Sequence, residues 1–315
     1  MDEQKFVAGL KKKFPFHYGL GIGDDASVVG SHGHFQLVSS DILIEDVHFR
    51  LQDISQRELA LKALAVNISD IAAMGGRAQY FYLGLGFPSR LSGKELRHFF
   101  TGLSQGCRKW HIELAGGDYS RAQKMSIAVT IIGQSQKPVL RSGARPGDLI
   151  AVTGPTGESA LGLKRLLAGE KRSPYIRAHQ RPQPQCAQGL LLSRYAHAMI
   201  DVSDGLLLDL SRLLAASGTG AEIDYEKIPV SRSFQRACRR YRFSEKELVL
   251  AGGEDYQLLF AISPRQESRL RKTKMVYYVI GRVTARRLLV REDGRPLRVA
   301  FLGFDHFREK PGGMK

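Results

Sequence analysis

Seven aspartates stand where their type and spacing could do chemistry. "GIGDDAS" supplies Asp24 and Asp25, "SSDILIEDVHF" supplies Asp41, and "NISDI" supplies Asp70. Further on, "AGGD" carries Asp118, and "IDVSDG" carries Asp201 and Asp204. Singly, each has an ordinary explanation, since Asp beside Gly is common turn chemistry and Asp before a helix is a common cap. Their shared placement says more. All but Asp70 are expected at turns or strand ends, which in α/β sheets gather at one edge, where ligands bind. Carboxylates brought together there repel one another and take up protons unless a cation joins them. An all-oxygen donor set fits hard Mg²⁺ rather than zinc, and Mg²⁺ held by a few carboxylates shares its other positions with substrate phosphates. The stretch Phe35 to Phe49 poses the question most sharply, because a strand there runs into Asp41, Glu45, Asp46 and His48.

The elements that must position these acids can be read from periodicity. Helix-period and strand-period segments alternate, which predicts an α/β or α+β protein, and 315 residues is more than one core usually spans, so two domains are expected. A helix opens at Ser55 and Glu58 in capping-box spacing and stops at Gly75 and Gly76, with Asp70 in its last turns. A strand "YFYLGLGF", a second boxed helix from Ser92 and Glu95, a short strand "IEL" and a strand "KMSIAVTIIGQ" follow. The loop "SQKPVLRSGARPGD" collects Pro, Gly and Ser, so the boundary is placed there, dividing the chain into residues 1–140 and 141–315. The second half restarts with "LIAVTG" and a glycine turn, "GPTGESALGL", entering a helix whose first amides could receive an anion. A helix over 184–198, a strand "AMIDVSDG" and a helix "LLLDLSRLLAAS" ending at Gly218 come next. Diglycines followed by acids recur at Gly116 to Asp118 and Gly252 to Asp255, the pattern of a distant internal duplication.

Composition narrows the function classes. Hydrophobic content of 43% with 25% charged residues is ordinary for a globular protein, and no apolar run approaches the ~18 residues that cross a bilayer, so no membrane partner is expected. The opening residues are unlike a secretory signal, and Cys107, Cys186 and Cys238 lie far apart without paired spacing. A cytoplasmic protein is expected. The net charge of +16 would suit a nucleic-acid binder, which is the non-enzyme alternative. However, the basic residues are scattered apart from Lys11 to Lys13 and Arg236 to Arg242, with no RNA-recognition module, so solvated helix faces are the plainer reading. Such a field also draws small polyanions such as nucleotides.

No "GxxxxGK[ST]" loop and no kinase set of glycine loop, lysine and "HRD" is present, so a different nucleotide fold is needed. The ordered motifs "GIGDDA", "SSDILIEDVHF", "KALAVNISDIAAMGG", "AGGD", "RSGARPGD", "VTG", "IDVSDGL" and "GGEDYQLLF" resemble those of the thiamine-monophosphate kinases. That family lies in the superfamily of aminoimidazole ribonucleotide synthetase, selenophosphate synthetase and a hydrogenase-maturation enzyme. The resemblance runs from about Phe14 to Phe307, and the stretch through His48 and the closing "GFDHF" favour the kinase.

The resemblance implies a two-domain aminoimidazole ribonucleotide synthetase-like α/β fold that forms a homodimer through its N-terminal strands. It also implies transfer of the γ-phosphoryl of ATP onto thiamine monophosphate, giving thiamine diphosphate, with several Mg²⁺ ions. Carried over by motif, Asp25, Ser39, Ser40, Asp41, Asp70, Asp118, Asp201 and Asp204 hold metal. Gly117, Asp118, Arg141 and Ser203 lie along ATP, and Asp41, Asp70, Asp118 and Arg141 carry the catalysis. His48, Glu254 and Phe304 meet the thiamine phosphate; Phe304 stands where a tyrosine is expected.

The chemistry agrees in one respect. A phosphate monoester acceptor is already largely ionised near neutral pH, so no strong general base is required, and the work is holding donor and acceptor in line while neutralising charge. Read without the resemblance, His48 is first a satisfied structural histidine and Arg141 a solvated loop residue, and a packing stripe is the alternative for Phe301, Phe304 and Phe307. A sibling synthetase is the enzymatic alternative. Selenophosphate synthetase is expected to carry a reactive Cys near its start, and no Cys precedes Cys107; a hydrogenase-maturation enzyme is expected to end in Cys, and this sequence ends "PGGMK".

Overall fold

The computed structural model describes residues 3–31, 33–299 and Gly303. After helix α1 (Glu3–Lys13), the first sheet is built from β1 (Gly19–Leu20), β2 (Ser27–Ser31), β3 (His34–Ile44), β4 (Arg77–Pro88), β5 (Glu113–Ala122) and β6 (Ser126–Ser135). Its order is β1-β2-β3-β6-β4-β5, antiparallel except for the parallel β4 and β5 pair. Alternation along β3 and β4 decides the faces. Leu37, Ser39 and Leu43 of β3 and Phe81, Leu83 and Leu85 of β4 turn inward. Onto that face pack α2 (Gln56–Ala73) and α3 (Gly93–Trp110), each opened by a complete capping box, Ser55 with Glu58 and Ser92 with Glu95. The opposite face carries Ile42, Tyr80, Tyr82 and Thr130 and is covered by no element among the described residues; Ile42 is 50% and Tyr82 46% exposed.

The second sheet comprises β7 (Leu149–Val152), β8 (Ala198–Asp201), β9 (Gly220–Asp224), β10 (Leu258–Ile262), β11 (Tyr278–Thr284), β12 (Leu288–Glu292) and β13 (Arg295–Pro296). They are ordered β13-β12-β9-β11-β7-β10-β8. Strands β8 and β10 are buried along their whole length, because both faces are covered. On one side Ile150, Val152 and Ile200 meet α4 (Glu158–Leu167), α7 (Leu206–Ser217), α8 (Arg232–Tyr241) and α9 (Glu245–Ala251). On the other, Ala151, Met199 and Phe260 meet α6 (Cys186–Leu192), α10 (Pro264–Leu270) and Ala73 at the end of α2. With α5 (Pro174–Gln180) also against it, α2 is wrapped by both halves of the molecule. That explains why its buried residues run all round the helix rather than along one stripe.

Three expectations from the sequence are corrected here. The helix expected over 184–198 is only the seven residues of α6, because Ala196 and the chain into β8 are needed by the second core. The glycines after "IEL" do not make a loop: β5 runs straight through them, paired with β4. The two diglycines are therefore not equivalent, since Gly252 to Asp255 form irregular chain between α9 and β10.

Candidate active site

Two domains bring three acids to one point. Asp25, on the loop between β1 and β2, Asp70 on α2 and Asp201 at the end of β8 each place a carboxylate oxygen within 4.8 Å of the others. At such a separation each ionised pair costs about 3 kcal/mol with an effective dielectric of ~20, so the three cannot all stay charged without help. Burial raises Asp70 well above the usual carboxylate range, and Asp41, Asp201 and Asp25 add to it. Asp201 is raised well above the range by burial and then by Asp25. Asp41 is raised by loss of solvent and by Asp204 and Asp25, which places all five acids in one electrostatic neighbourhood. Asp25 Oδ2 is buried with no hydrogen-bond partner. Oxygen donors, mutual repulsion and an orphaned carboxylate oxygen together fit a divalent cation of the hard class.

The surroundings orient each acid. Ser39 Oγ donates to Asp70 Oδ2 at 2.5 Å, and Ser69 Oγ to Asp201 Oδ2 at 2.6 Å. Asp41 lies inside β3, beyond the point where β2 stops pairing, and its free N–H is taken by Asn67 Oδ1 at 3.1 Å. Arg141 donates from Nη2 to Asp25 at 2.7 Å and from its backbone N–H to Asp24 Oδ1 at 2.6 Å. Burial works against its charge, but Asp25 outweighs this and holds the guanidinium protonated. Asp24 itself is pushed up, by burial first, and stands behind the cluster rather than in it.

Around Ser203 and Asp204 the backbone is drawn into a cup. The N–H groups of Ser203, Asp204 and Gly205 all donate to Asp209 Oδ2, at 3.1, 3.0 and 3.1 Å, while Arg212 Nη1 clamps Asp204 at 2.5 Å and Asp209 at 2.7 Å. Burial and Asp204 push Asp209 up to about 7. Asp209 and Arg212 escaped the sequence reading; the available signal was an acid in the first turn of a helix that follows a loop of potential donors. Gly303 lies against the Asp204 carbonyl, where an added Cβ would come within 2.6 Å.

Other candidates have partners elsewhere. His48 Nδ1 accepts from the Ile44 N–H at 3.0 Å, closing the turn after β3. In the same stretch Glu45 is buried, bonded to Arg90 and to the Met125 N–H, and Asp46 pairs with Lys124 at 3.2 Å. Of the acids that end this strand, Asp41 stands beside the cluster, while Glu45 and Asp46 fasten the turn. Glu254 meets Lys62 and His179, each at 2.9 Å, and these partners hold it well below the usual carboxylate range despite burial.

Ser40 and Asp118 are not brought to the cluster. Ser40 Oγ is 2.9 Å from Thr130 Oγ1 on the uncovered sheet face, and Asp118 is exposed on β5, paired with Gly84 of that same face. Gly117, with φ +149, passes so close to β4 that a Cβ would lie 2.0 Å from the Leu83 carbonyl oxygen. The anion seat expected at the start of α4 is already filled from within: Asp255 accepts from Gly157 N–H at 2.6 Å and Ser159 N–H at 3.1 Å. Phe304 lies outside the described residues.

Two family models match in tandem. AIR synthase related protein, N-terminal domain, covers residues 23–135, and AIR synthase related protein, C-terminal domain, covers 145–293. A two-sheet α/β architecture with an acid cluster at the junction thus defines an AIR synthase related protein. Similarity over nearly the whole chain narrows this. The thiamine-monophosphate kinase of Bacillus subtilis (strain 168) is 33% identical over 98% of this chain and 100% of the relative. That of Escherichia coli (strain K12) is 36% identical over 91% and 92%. Among solved structures, AaThiL complexed with AMPPCP and TMP superposes with a TM-score of 0.88 at 32% identity, covering 97% of both chains. Hydrogenase maturation protein HypE in complex with ATP shares the fold, with a TM-score of 0.71 at 18% identity over 96% and 95%. The chain belongs to the thiamine-monophosphate kinase family.

Proposed function

We infer that this chain moves the γ-phosphoryl of ATP onto the phosphate of thiamine monophosphate, giving thiamine diphosphate and ADP. The observation that carries the reading is the carboxylate cluster of Asp25, Asp70 and Asp201, built jointly by both domains of a chain alike over 97% of its length to AaThiL complexed with AMPPCP and TMP. Mg²⁺ held by these acids, with Asp41 and Asp204 beside them, supplies the positive charge that offsets the phosphate oxygens.

The chain's own groups do the rest. Ser39 and Ser69 hold Asp70 and Asp201 in ligating orientation, so the acids need little rearrangement when charge arrives. Arg141, fixed by Asp25, adds a permanent cation for the polyphosphate. Ser203 and Gly117 line the nucleotide, and Asp118 and Ser40, on separate strands of the uncovered face, are the further metal groups that the family resemblance implies. His48, Glu254 and Phe304 form the thiamine phosphate side. No residue need remove a proton, because the acceptor oxygen is already ionised.

The N-terminal unit, residues 1–140, carries most of the metal and nucleotide groups, and residues 141–315 close the site. The apolar face of Ile42, Tyr80 and Tyr82 supports a homodimer, since a second copy would cover it. Among the described residues no helix is long and apolar enough to cross a membrane, and a cytoplasmic location fits an enzyme of soluble metabolites. Incubation with ATP and Mg²⁺ beside either thiamine monophosphate or free thiamine tests the reading: thiamine diphosphate should form from the monophosphate alone, and its absence would refute the assignment.

A further inference from the structure

Lys62 is the most deeply buried lysine among the described residues, 1% exposed in the middle of α2. A buried ammonium is tolerated only when paired and hydrogen-bonded, and its partner is Glu254 Oε1 at 2.9 Å, supplied by the other domain. The second oxygen of Glu254 meets His179 Nδ1 at 2.9 Å, and that nitrogen also lies 3.1 Å from Ser159 Oγ. The next two residues, Gln180 and Arg181, continue the seam by donating to the Asp53 carbonyl and the Glu58 carboxylate.

Glu254 is not free to sit anywhere. Its φ of 64 and the φ of 50 at Tyr256 are left-handed, a conformation that non-glycine residues keep only when their surroundings impose it. From that position the Glu254 N–H donates to the Ser203 carbonyl at 2.7 Å and the Tyr256 N–H to the Val202 carbonyl at 2.9 Å. The Val202 N–H returns a bond to Gln257 at 2.8 Å. The segment that Lys62 grips is therefore the one that brackets residues 201–204, where Asp201 and Asp204 stand.

We propose that Lys62 is a positioning residue, which through Glu254 sets the Asp201–Asp204 loop of the second domain against Asp25 and Asp70 of the first. It touches neither substrate nor metal. The proposal rests on the reading of the acid cluster as a cation site, and it is independent of which acceptor is phosphorylated.

Mn²⁺ binding to the full chain, followed by electron paramagnetic resonance without nucleotide, tests it. Lys62→Met, Glu254→Gln and the double variant are compared with wild type, with melting curves recorded beside them. Each single change should weaken Mn²⁺ binding by about 10-fold or more, as loss of outer partners of metal ligands does. The double variant should bind no worse than the weaker single, because both act through one contact. Lys62→Met that folds and binds Mn²⁺ within about twofold of wild type, or losses that multiply in the double, would overturn the proposal. If Lys62→Met fails to fold, the near-isosteric Glu254→Gln decides: unchanged Mn²⁺ affinity refutes it and weakened affinity supports it. Wild-type protein that binds no Mn²⁺ overturns the proposal together with the cation site, whereas a failed acceptor assignment leaves the binding result standing.

Discussion

Ser69 Oγ donates to Asp201 Oδ2 at 2.6 Å, so the residue next to Asp70 on α2 holds an acid from the other domain. Adjacent positions on one helix thus serve the acid cluster in two ways, Asp70 as one of its members and Ser69 as the anchor of another. A hydrogen bond to a charged acceptor of this kind contributes about 1.5–3 kcal/mol, and its geometry keeps Asp201 from turning away from its neighbours. The site exists because α2 is shared. It contacts β3, β4 and β6 of the first sheet and β8 of the second, and the acids meet where the two halves abut.

Activity should depend on Mg²⁺, and Asp41→Asn and Asp70→Asn should each lower the turnover rate by at least ~100-fold, about 2.7 kcal/mol in the barrier. At pH 8 Asp70→Asn should also melt higher than wild type without metal, since it removes a buried acid that can ionise there only at a cost beside Asp41, Asp201 and Asp25. Opposite signs for rate and stability separate a working acid from a structural one. Near-normal turnover at saturating Mg²⁺ would contradict the role of that residue.

Stability of the metal-free protein should fall as pH rises from 5 to 8. Asp209 and Asp255 are pushed up to about 7 by burial, and Asp70 and Asp201 lie well above their usual range for the same reason. Groups raised on folding contribute stability that is full below about pH 4 and is lost as pH passes their folded values. Glu254, which is lowered, acts in the opposite sense but only in the acid range below the ordinary carboxylate value. Melting curves should therefore shift down toward pH 8, and Mg²⁺ should raise the melting temperature more at pH 8 than at pH 5. A metal-free melting temperature that climbs steadily over this range would count against the cluster.

Sedimentation at micromolar concentration should give about twice 35.0 kDa. Ile42→Asp with Tyr82→Asp places charge in the middle of the uncovered face and should yield a folded monomer. Wild-type protein that sediments as a monomer removes the dimer.

If Phe304 meets the thiamine rings, as the family resemblance implies, stacking and cation–π attraction to the thiazolium would together contribute ~1 to 2 kcal/mol. Phe304→Ala should raise the KM for thiamine monophosphate by about 5- to 30-fold with the ATP constant and melting temperature nearly unchanged, and Phe304→Tyr should be close to neutral. A packing role would instead cost about 3 kcal/mol of stability and affect both substrates.

Much of this was legible in the residues and some was not, for identifiable reasons. Capping boxes announced α2 and α3 because the cap is local chemistry, and Asp25, Asp70 and Asp201 were among seven aspartates marked by their motifs, without a sign of which three would meet. Nothing local marks Lys62, since its partner Glu254 comes from a domain more than a hundred residues away in sequence. Asp118 read as a loop acid because glycines mimic a turn, whereas pairing with β4 overrides their local preference. The turn before α4 read as an anion seat; that its anion is Asp255 depends on a contact between residues 98 apart. Local patterns survive folding intact, while occupancy and burial are decided by the partner that arrives from elsewhere.

The most direct measurement follows the terminal phosphate of γ-³²P-labelled ATP in a single turnover with thiamine monophosphate and Mg²⁺. Direct transfer predicts that the label appears in thiamine diphosphate, at its terminal phosphate, with ADP formed in equal amount. Label recovered as inorganic phosphate, with thiamine monophosphate unchanged, would contradict the account and point instead to the synthetase chemistry of the wider superfamily.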